Sequence, residues 1–281
     1  MRAAGRPGRY ARASGPRRRG RSPPKEDELD GSRGTARSAR TSSTPGRRAA
    51  AAEAARRILL PLALMALVTL GLGLLLTKVM EHSTLVAQDE AVSREIAQER
   101  TPFWNEVTHY ASMLSDTPVI IVVTAIMAIL FRIAYKRWRE SVFLVAAVCA
   151  QSAIFLLATV FAQRARPHVP HLDPAPPTSS YPSGHTSAAV AFYCGAAVVL
   201  TLHTHRHTIL NALWWLLGAG AALAVGLARL YRGMHHLTDV SWGYVLGIFC
   251  VVVLAQALLL RPITARRAAP EKRAVRGAAL T

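Results

Sequence analysis

Arg229, then five residues, His235, then three residues, Asp239 stand between two apolar runs long enough to cross a bilayer. Charge in such a place is costly and asks for a function. If the segment is helical, His235 and Asp239 share a face. The carboxylate can then hold one imidazole nitrogen and leave the other free as a nucleophile. A second cluster, Arg164-Ala165-Arg166-Pro167 followed by Tyr181-Pro182-Ser183-Gly184-His185, lies at the mouth of another apolar run. His185 supplies a second imidazole, suited to protonate a leaving oxygen as a general acid. Arg166 and Arg229 offer planar donor forks for the nonbridging oxygens of a phosphoryl group in its trigonal bipyramidal transition state. Ser183 or Thr186 can cap a helix here, which leaves the amides of Gly184 and His185 at a helix N-terminus, where anions are favoured. This is chemistry for a phosphate ester.

Neighbouring residues have plainer readings. His236 points about 100° away from His235 on a helix and is left out of the core set. Arg232 reads as supporting, through a lipid headgroup or an aspartate. His203, His205 and His207 have no carboxylate or cysteine beside them and read as a short polar turn, so no metal site is expected there. Cys149, Cys194 and Cys250 fall inside apolar runs as small fillers, without ligand spacing. Gly218, Gly220 and Gly226 suggest close helix contacts.

The elements that must position these residues are apolar blocks: Ile58 to Thr77, Pro118 to Tyr135, Ser141 to Ala162, Thr186 to Leu202, Ile209 to Leu227 and Val240 to Leu260. They are apolar around their whole circumference, whereas a soluble helical bundle would show polar stripes. The expected fold is therefore all-α, an integral membrane bundle of six transmembrane helices. Of 34 Lys and Arg, 16 precede Ile58, and further basic residues follow the second and sixth blocks, whereas the loop from Lys78 to Asp116 holds three basic and seven acidic residues. By the positive-inside rule both termini are expected in the cytoplasm and the reactive clusters on the extracytoplasmic side. This distribution also argues against nucleic acid as the partner of a chain with net charge +18.

The expected organisation is a disordered basic tail over 1–55, a membrane domain over 56–262 and a second basic tail over 263–281. The first span is taken as a retained anchor rather than a cleaved signal. The Ala49 to Ala55 run should lead helically into it. Apolar spacing between Lys78 and Asp116 suits one or two amphipathic helices at the interface, and the loop from Arg164 to Pro182, with six prolines, is too proline-rich for regular structure.

Arg166-Pro167, Pro182-Ser183-Gly184-His185 and Arg229 through His235 to Asp239 resemble, in order and spacing, the three signature motifs of the type 2 phosphatidic acid phosphatase family, membrane relatives of the vanadium haloperoxidases. The motif likeness covers residues 159 to 239, and the six-span layout extends it from roughly 55 to 262. The resemblance implies a phosphatase that needs no metal or other cofactor. His235 would carry the phosphohistidine with Asp239 orienting it, and His185 would act as acid and then activate water. Arg166, Ser183, Gly184 and Arg229 would bind the phosphate. Two positions depart from the family pattern: Thr159 stands where a lysine begins the first motif, and Ala228 where a serine begins the third. Arg164 is the candidate to restore the missing charge.

The expected activity is hydrolysis of a lipid phosphomonoester or diphosphate in the plasma membrane, with an isoprenyl diphosphate such as undecaprenyl diphosphate placed first and phosphatidylglycerophosphate or phosphatidic acid next. The alternatives are a lipid phosphotransferase, a metal-dependent hydrolase and a noncatalytic lipid-binding or transport protein. Transport is disfavoured because the charges sit at the ends of spans rather than at their middles.

Overall fold

The computed structural model describes residues 44–175 and 178–260, and their side chains from residue 55 on. Residues 50–260 belong to one compact unit. Residues 1–43 of the expected basic tail, and the carboxy-terminal tail over 263–281, lie outside the described residues. The alanine-rich run is helical as expected, because the first helix, α1, spans Thr44–Leu74 and starts inside the segment assigned to the tail.

Nine helices follow one another among the described residues, with no strand between them: α1, α2 (Thr84–Gln98), α3 (Pro102–Met113), α4 (Thr117–Tyr135), α5 (Arg139–Ala162), α6 (Gly184–Ala189), α7 (Gly195–His203), α8 (Thr208–Tyr231) and α9 (Leu237–Leu254). Wider turns extend α1 to Val79 and α9 to Leu260, and one joins α6 to α7 through Val190–Cys194. The result is six helical stretches long and apolar enough to span a bilayer: Ala55–Val79, Thr117–Tyr135, Arg139–Ala162, Gly184–His203, Thr208–Tyr231 and Leu237–Leu260. Each contains or closely overlaps one expected block.

Burial supports the membrane reading. Large apolar side chains such as Leu67, Ile121, Ile133, Phe161, Leu216 and Ile248 point outward, while the centre is filled by Phe143, Leu144, Ala147, Val199 and Leu246 with no exposure. Exposed leucine and isoleucine on this scale belong against lipid rather than water. Polar and even charged side chains are buried instead, among them Asp89, Gln151, Arg164, Arg229, Arg232 and Asp239.

Two glycines set the distance between α9 and the start of the fourth span. A Cβ on Gly243 would lie 2.8 Å from the Ser183 carbonyl oxygen, and one on Gly247 would lie 2.8 Å from that of Ser187. One turn before Gly243, the Asp239 carbonyl accepts a hydrogen bond from the Ser183 N–H at 3.0 Å, so the contact ties the two chemical segments together. Gly218 and Gly226 likewise admit close neighbours, Tyr193 and Tyr244. Gly220 does not, since a Cβ there meets nothing within 4 Å.

The loop between the first two spans forms two helices, α2 and α3, as expected, but they do more than lie at an interface. α3 packs along α8, and α2 touches α8 and α9. Ser83 and Thr101 accept hydrogen bonds from Val86 N–H and Trp104 N–H and start the two helices as N-caps.

Candidate active site

His235 lies in the short connection between α8 and α9, ahead of the first turn of α9. Its Nδ1 is 2.6 Å from the Ser180 carbonyl oxygen. A carbonyl only accepts, so Nδ1 carries the hydrogen and Nε2 keeps its lone pair. Burial first, and then the nearby Arg229 guanidinium, push the His235 imidazole well below its ordinary pKa, so the ring is neutral and nucleophilic at neutral pH.

Asp239 does not hold His235. The two residues share no helix face because α9 begins at Leu237, between them. The Asp239 carboxylate accepts from Arg164 Nη1 at 2.5 Å, Ser180 Oγ at 2.9 Å and the His236 N–H at 2.9 Å, and it also faces the His236 ring. Its hold on the nucleophile therefore runs through Ser180, whose hydroxyl binds the carboxylate and whose carbonyl binds the imidazole. The expected direct pair is replaced by a relay of one residue.

His185 occupies the second position of α6. Its Nε2 lies 3.1 Å from Asp116 Oδ1, and its carbonyl accepts from Ser115 Oγ at 2.6 Å. Ser183 caps the helix: its hydroxyl accepts from Thr186 N–H and meets Thr186 Oγ1 at 2.9 Å, and the residue is fully buried. Its side chain is thereby committed to the helix start, and of the expected Ser183-Gly184 pair Gly184 alone lines the cavity described next. A Cβ on Gly184 would come within 2.8 Å of the Phe155 ring, which accounts for glycine.

His185, His235, Arg166, Arg229 and Gly184 all line one cavity of about 890 Å³. Its floor is polar. From there it runs between α4, α5 and the start of the fourth span along Ile120, Ile121, Val148, Phe155 and Ala188. Both arginines retain donors for a ligand. Arg229 Nη1 is held by Ser112 Oγ and Asp173 Oδ2 at 2.8 and 2.9 Å, and Arg166 Nη1 by the Met234 carbonyl at 2.6 Å, yet the Nε of each is buried without a partner among the described residues. Guanidiniums that line a cavity with hydrogens still unpaired are suited to an anion that brings its own acceptors.

Arg164 does not replace the missing lysine. It is enclosed between Asp89 (2.8 Å) and Asp239, with Thr238 Oγ1 at 2.6 Å, and lines a separate cavity of about 420 Å³ with Thr159, Gln163, Thr178 and Ser179. Burial opposes its charge, but these two carboxylates outweigh burial and raise its pKa. Arg232 is supporting, as its position suggested: it clamps Asp173 and donates to the carbonyls of Leu172 and Asn105. Burial alone would raise the Asp173 pKa, but Arg232 and Arg229 hold it below the usual carboxylate value. His236, excluded from the core set, is buried between Asp239 and Glu90. His203 lies at the far end of its span from His185, stacked on Tyr135 at 3.6 Å between ring centres and bonded to Arg137. Groups of His, Cys, Asp and Glu able to hold a metal are absent among the described residues.

Four acidic residues of the segments that connect the spans were missed by sequence reasoning. Asp89, Glu90, Asp116 and Asp173 each bind a motif residue or its neighbour, yet none lies in a motif.

Residues 140–262 match the family model described as the PAP2 superfamily. That segment is a PAP2 domain. It carries all seven residues singled out from the sequence. The chain is 26% identical over 183 residues to phosphatidylglycerophosphatase B of Bacillus subtilis (strain 168), covering 62% of this chain and 85% of that relative. Among solved structures, it resembles the crystal structure of a transmembrane PAP2-type phosphatidylglycerolphosphate phosphatase from Bacillus subtilis, with TM-score 0.61, 22% identity, and 68% and 94% of the two chains covered. That likeness is one of fold. A crystal structure of Aquifex aeolicus LpxE aligns with TM-score 0.47 and 22% identity over 59% and 93% of the two chains. The PAP2 domain in a six-span chain makes the protein a membrane hydrolase of lipid phosphate esters.

Proposed function

We propose that the protein dephosphorylates a lipid phosphomonoester of the glycerophosphate type through a phosphohistidine at His235. The observation that carries this reading is the meeting of both imidazoles with two partly unsatisfied guanidiniums in one cavity whose far end is apolar and lies between spans. The lone pair on His235 Nε2 attacks phosphorus while His185 protonates the departing lipid oxygen, and His185 then takes a proton from the water that cleaves the P–N bond. Arg166 and Arg229 stabilise the charge on the nonbridging oxygens as it develops. Gly184 contributes the start of the fourth span. Asp239 acts as a positioning residue through Ser180.

Charge favours a single phosphoryl group over a diphosphate. Arg164 is neutralised by two carboxylates, the motif lysine is absent, and Asp173 faces Arg229, which leaves less positive charge than a diphosphate calls for. The isoprenyl diphosphate placed first from the sequence has correspondingly less support than phosphatidylglycerophosphate, the compound class in the name of the Bacillus relative. The apolar arm past Ile121 and Phe155 suits a lipid tail entering sideways from the bilayer.

The test is phosphate release by purified protein in detergent from phosphatidylglycerophosphate, phosphatidic acid and an isoprenyl diphosphate, with and without excess chelator. The expected result is turnover of a monoester that survives chelation and is abolished in His235→Ala. Full activity in His235→Ala removes the nucleophile, and loss on chelation removes the metal-free reading.

A further inference from the structure

We propose that Asp116, which lies outside the PAP2-matched segment, is the positioning residue for the general acid, forming an Asp116–His185 dyad at the junction of α3 and α4. The inference rests on the roles assigned above to His185 and His235. Asp116 stands at the N-cap of α4 in extended backbone conformation (φ −60, ψ 142), where an aspartate ordinarily turns back to accept amide hydrogens of its own helix. Its side chain makes no such bond. The carboxylate is directed across to the fourth span, 3.1 Å from His185 Nε2. The preceding residue reinforces the attachment: Ser115 Oγ donates to the His185 carbonyl at 2.6 Å. Consecutive residues of one junction therefore hold the backbone and the ring of the same histidine.

The bond defines what each ring nitrogen does. Facing a carboxylate, Nε2 carries a hydrogen and donates it, so the nitrogen that exchanges protons with substrate is Nδ1. In the first step the P–O bond to the lipid breaks, its electron pair goes to the leaving oxygen, and that oxygen takes the proton from Nδ1. His185 becomes neutral. In the second step Nδ1 takes a proton from water, the water oxygen bonds phosphorus, and the P–N bond returns its electron pair to His235 Nε2. Asp116 exchanges no proton with substrate or water in either step. It stabilises the imidazolium before the first transfer and after the second, as an aspartate does beside a catalytic histidine. The other charged groups facing His185 are Arg229 and Asp173, and Arg229 is itself engaged by Asp173. That leaves Asp116 as the carboxylate bonded to the ring.

The role predicts a dependence on leaving group. An alkoxide leaves poorly and needs the proton, whereas 4-nitrophenolate leaves without one. Asp116→Asn should therefore lower kcat/KM for an alkyl lipid phosphate by roughly 10- to 100-fold, less than the roughly 100- to 10,000-fold of general acid catalysis itself because the histidine remains. For 4-nitrophenyl phosphate it should lower kcat/KM no more than about threefold. kcat/KM is the quantity to compare, because it ends at departure of the leaving group and excludes the water step. Asp116→Glu should recover part of the loss, and in a His185→Ala background Asp116→Asn should cost little more. Equal losses on both substrates would show a structural role and overturn the proposal, as would an Asp116→Asn variant with wild-type kcat/KM on both. A wild-type protein inactive on every lipid phosphate, or one that stays active as His235→Ala, overturns the parent reading and the dyad with it, and these outcomes are distinct from the first two.

Discussion

His235 shows how a chain of small contacts prepares a nucleophile. Ser180 fixes its tautomer, burial and Arg229 keep it unprotonated, and Asp239 acts at one remove. The sign of the pH dependence follows. A histidine whose folded pKa is depressed remains neutral as pH falls through the ordinary value near 6.5, so the limb of kcat/KM due to protonation of His235 should lie well below that value. A pH–rate profile whose acid limb titrates at or above 6.5, and which is unchanged when His185 is replaced, would contradict this. The relay also separates two variants. Asp239→Asn keeps an acceptor for Ser180 but loses the charge that holds Arg164, so it should lower both activity and stability. Ser180→Ala removes the hydroxyl link of the relay but leaves Arg164 paired, so it should lower activity with a smaller loss of stability. Comparing kcat and thermal midpoint of the two in detergent distinguishes an orienting carboxylate from a purely structural one.

The elements that carry this chemistry are joined by buried charge. α2 sends Asp89 and Glu90 to Arg164, Thr238 and His236, and the turn before α3 sends Arg100 to the carbonyls of Tyr231 and Pro170. Removing one partner of such a buried pair is costly because the other is left unpaired. Asp89→Ala should thus destabilise the fold by about 3 kcal/mol, seen as a lowered thermal midpoint, while Glu95→Ala on the same helix should have no comparable effect. Equal midpoints for the two variants would mean that α2 is not anchored in this way. The spans and the motif residues were legible in the sequence because hydropathy and local spacing are recorded along the chain. Asp89, Asp116 and Asp173 were not. They lie 75, 69 and 56 residues from the partners they bind in Arg164, His185 and Arg229, and an aspartate in an amphipathic loop looks the same whether it meets water or a buried arginine. The Asp239 role was misread for a related reason: helical spacing was applied across Leu237, where the helix actually begins.

At the scale of the whole molecule the two ends of the spans carry different groups. His185, His235, Arg166 and Arg229 meet at one end of the spans, and His203, Tyr135, Arg137 and Glu140 meet at the other. Charge differs between these ends: Lys136, Arg137 and Arg139 cluster at the second, while seven acidic residues fall between Lys78 and Asp116 at the first. The positive-inside rule predicts from that asymmetry an orientation with the reactive end extracytoplasmic, which is a proposal for experiment. The orientation matters for function, since it decides which leaflet presents the phosphate and where the released anion goes. It can be read with single cysteines in a chain whose Cys149, Cys194 and Cys250 are replaced by alanine. Ser83→Cys, at the start of α2, should react with a membrane-impermeant maleimide in intact cells. Arg206→Cys, in the turn between α7 and α8, should react only after permeabilisation. The reverse pattern would place the His235 pocket in the cytoplasm and require a substrate from the inner leaflet, with the catalytic geometry itself unaltered.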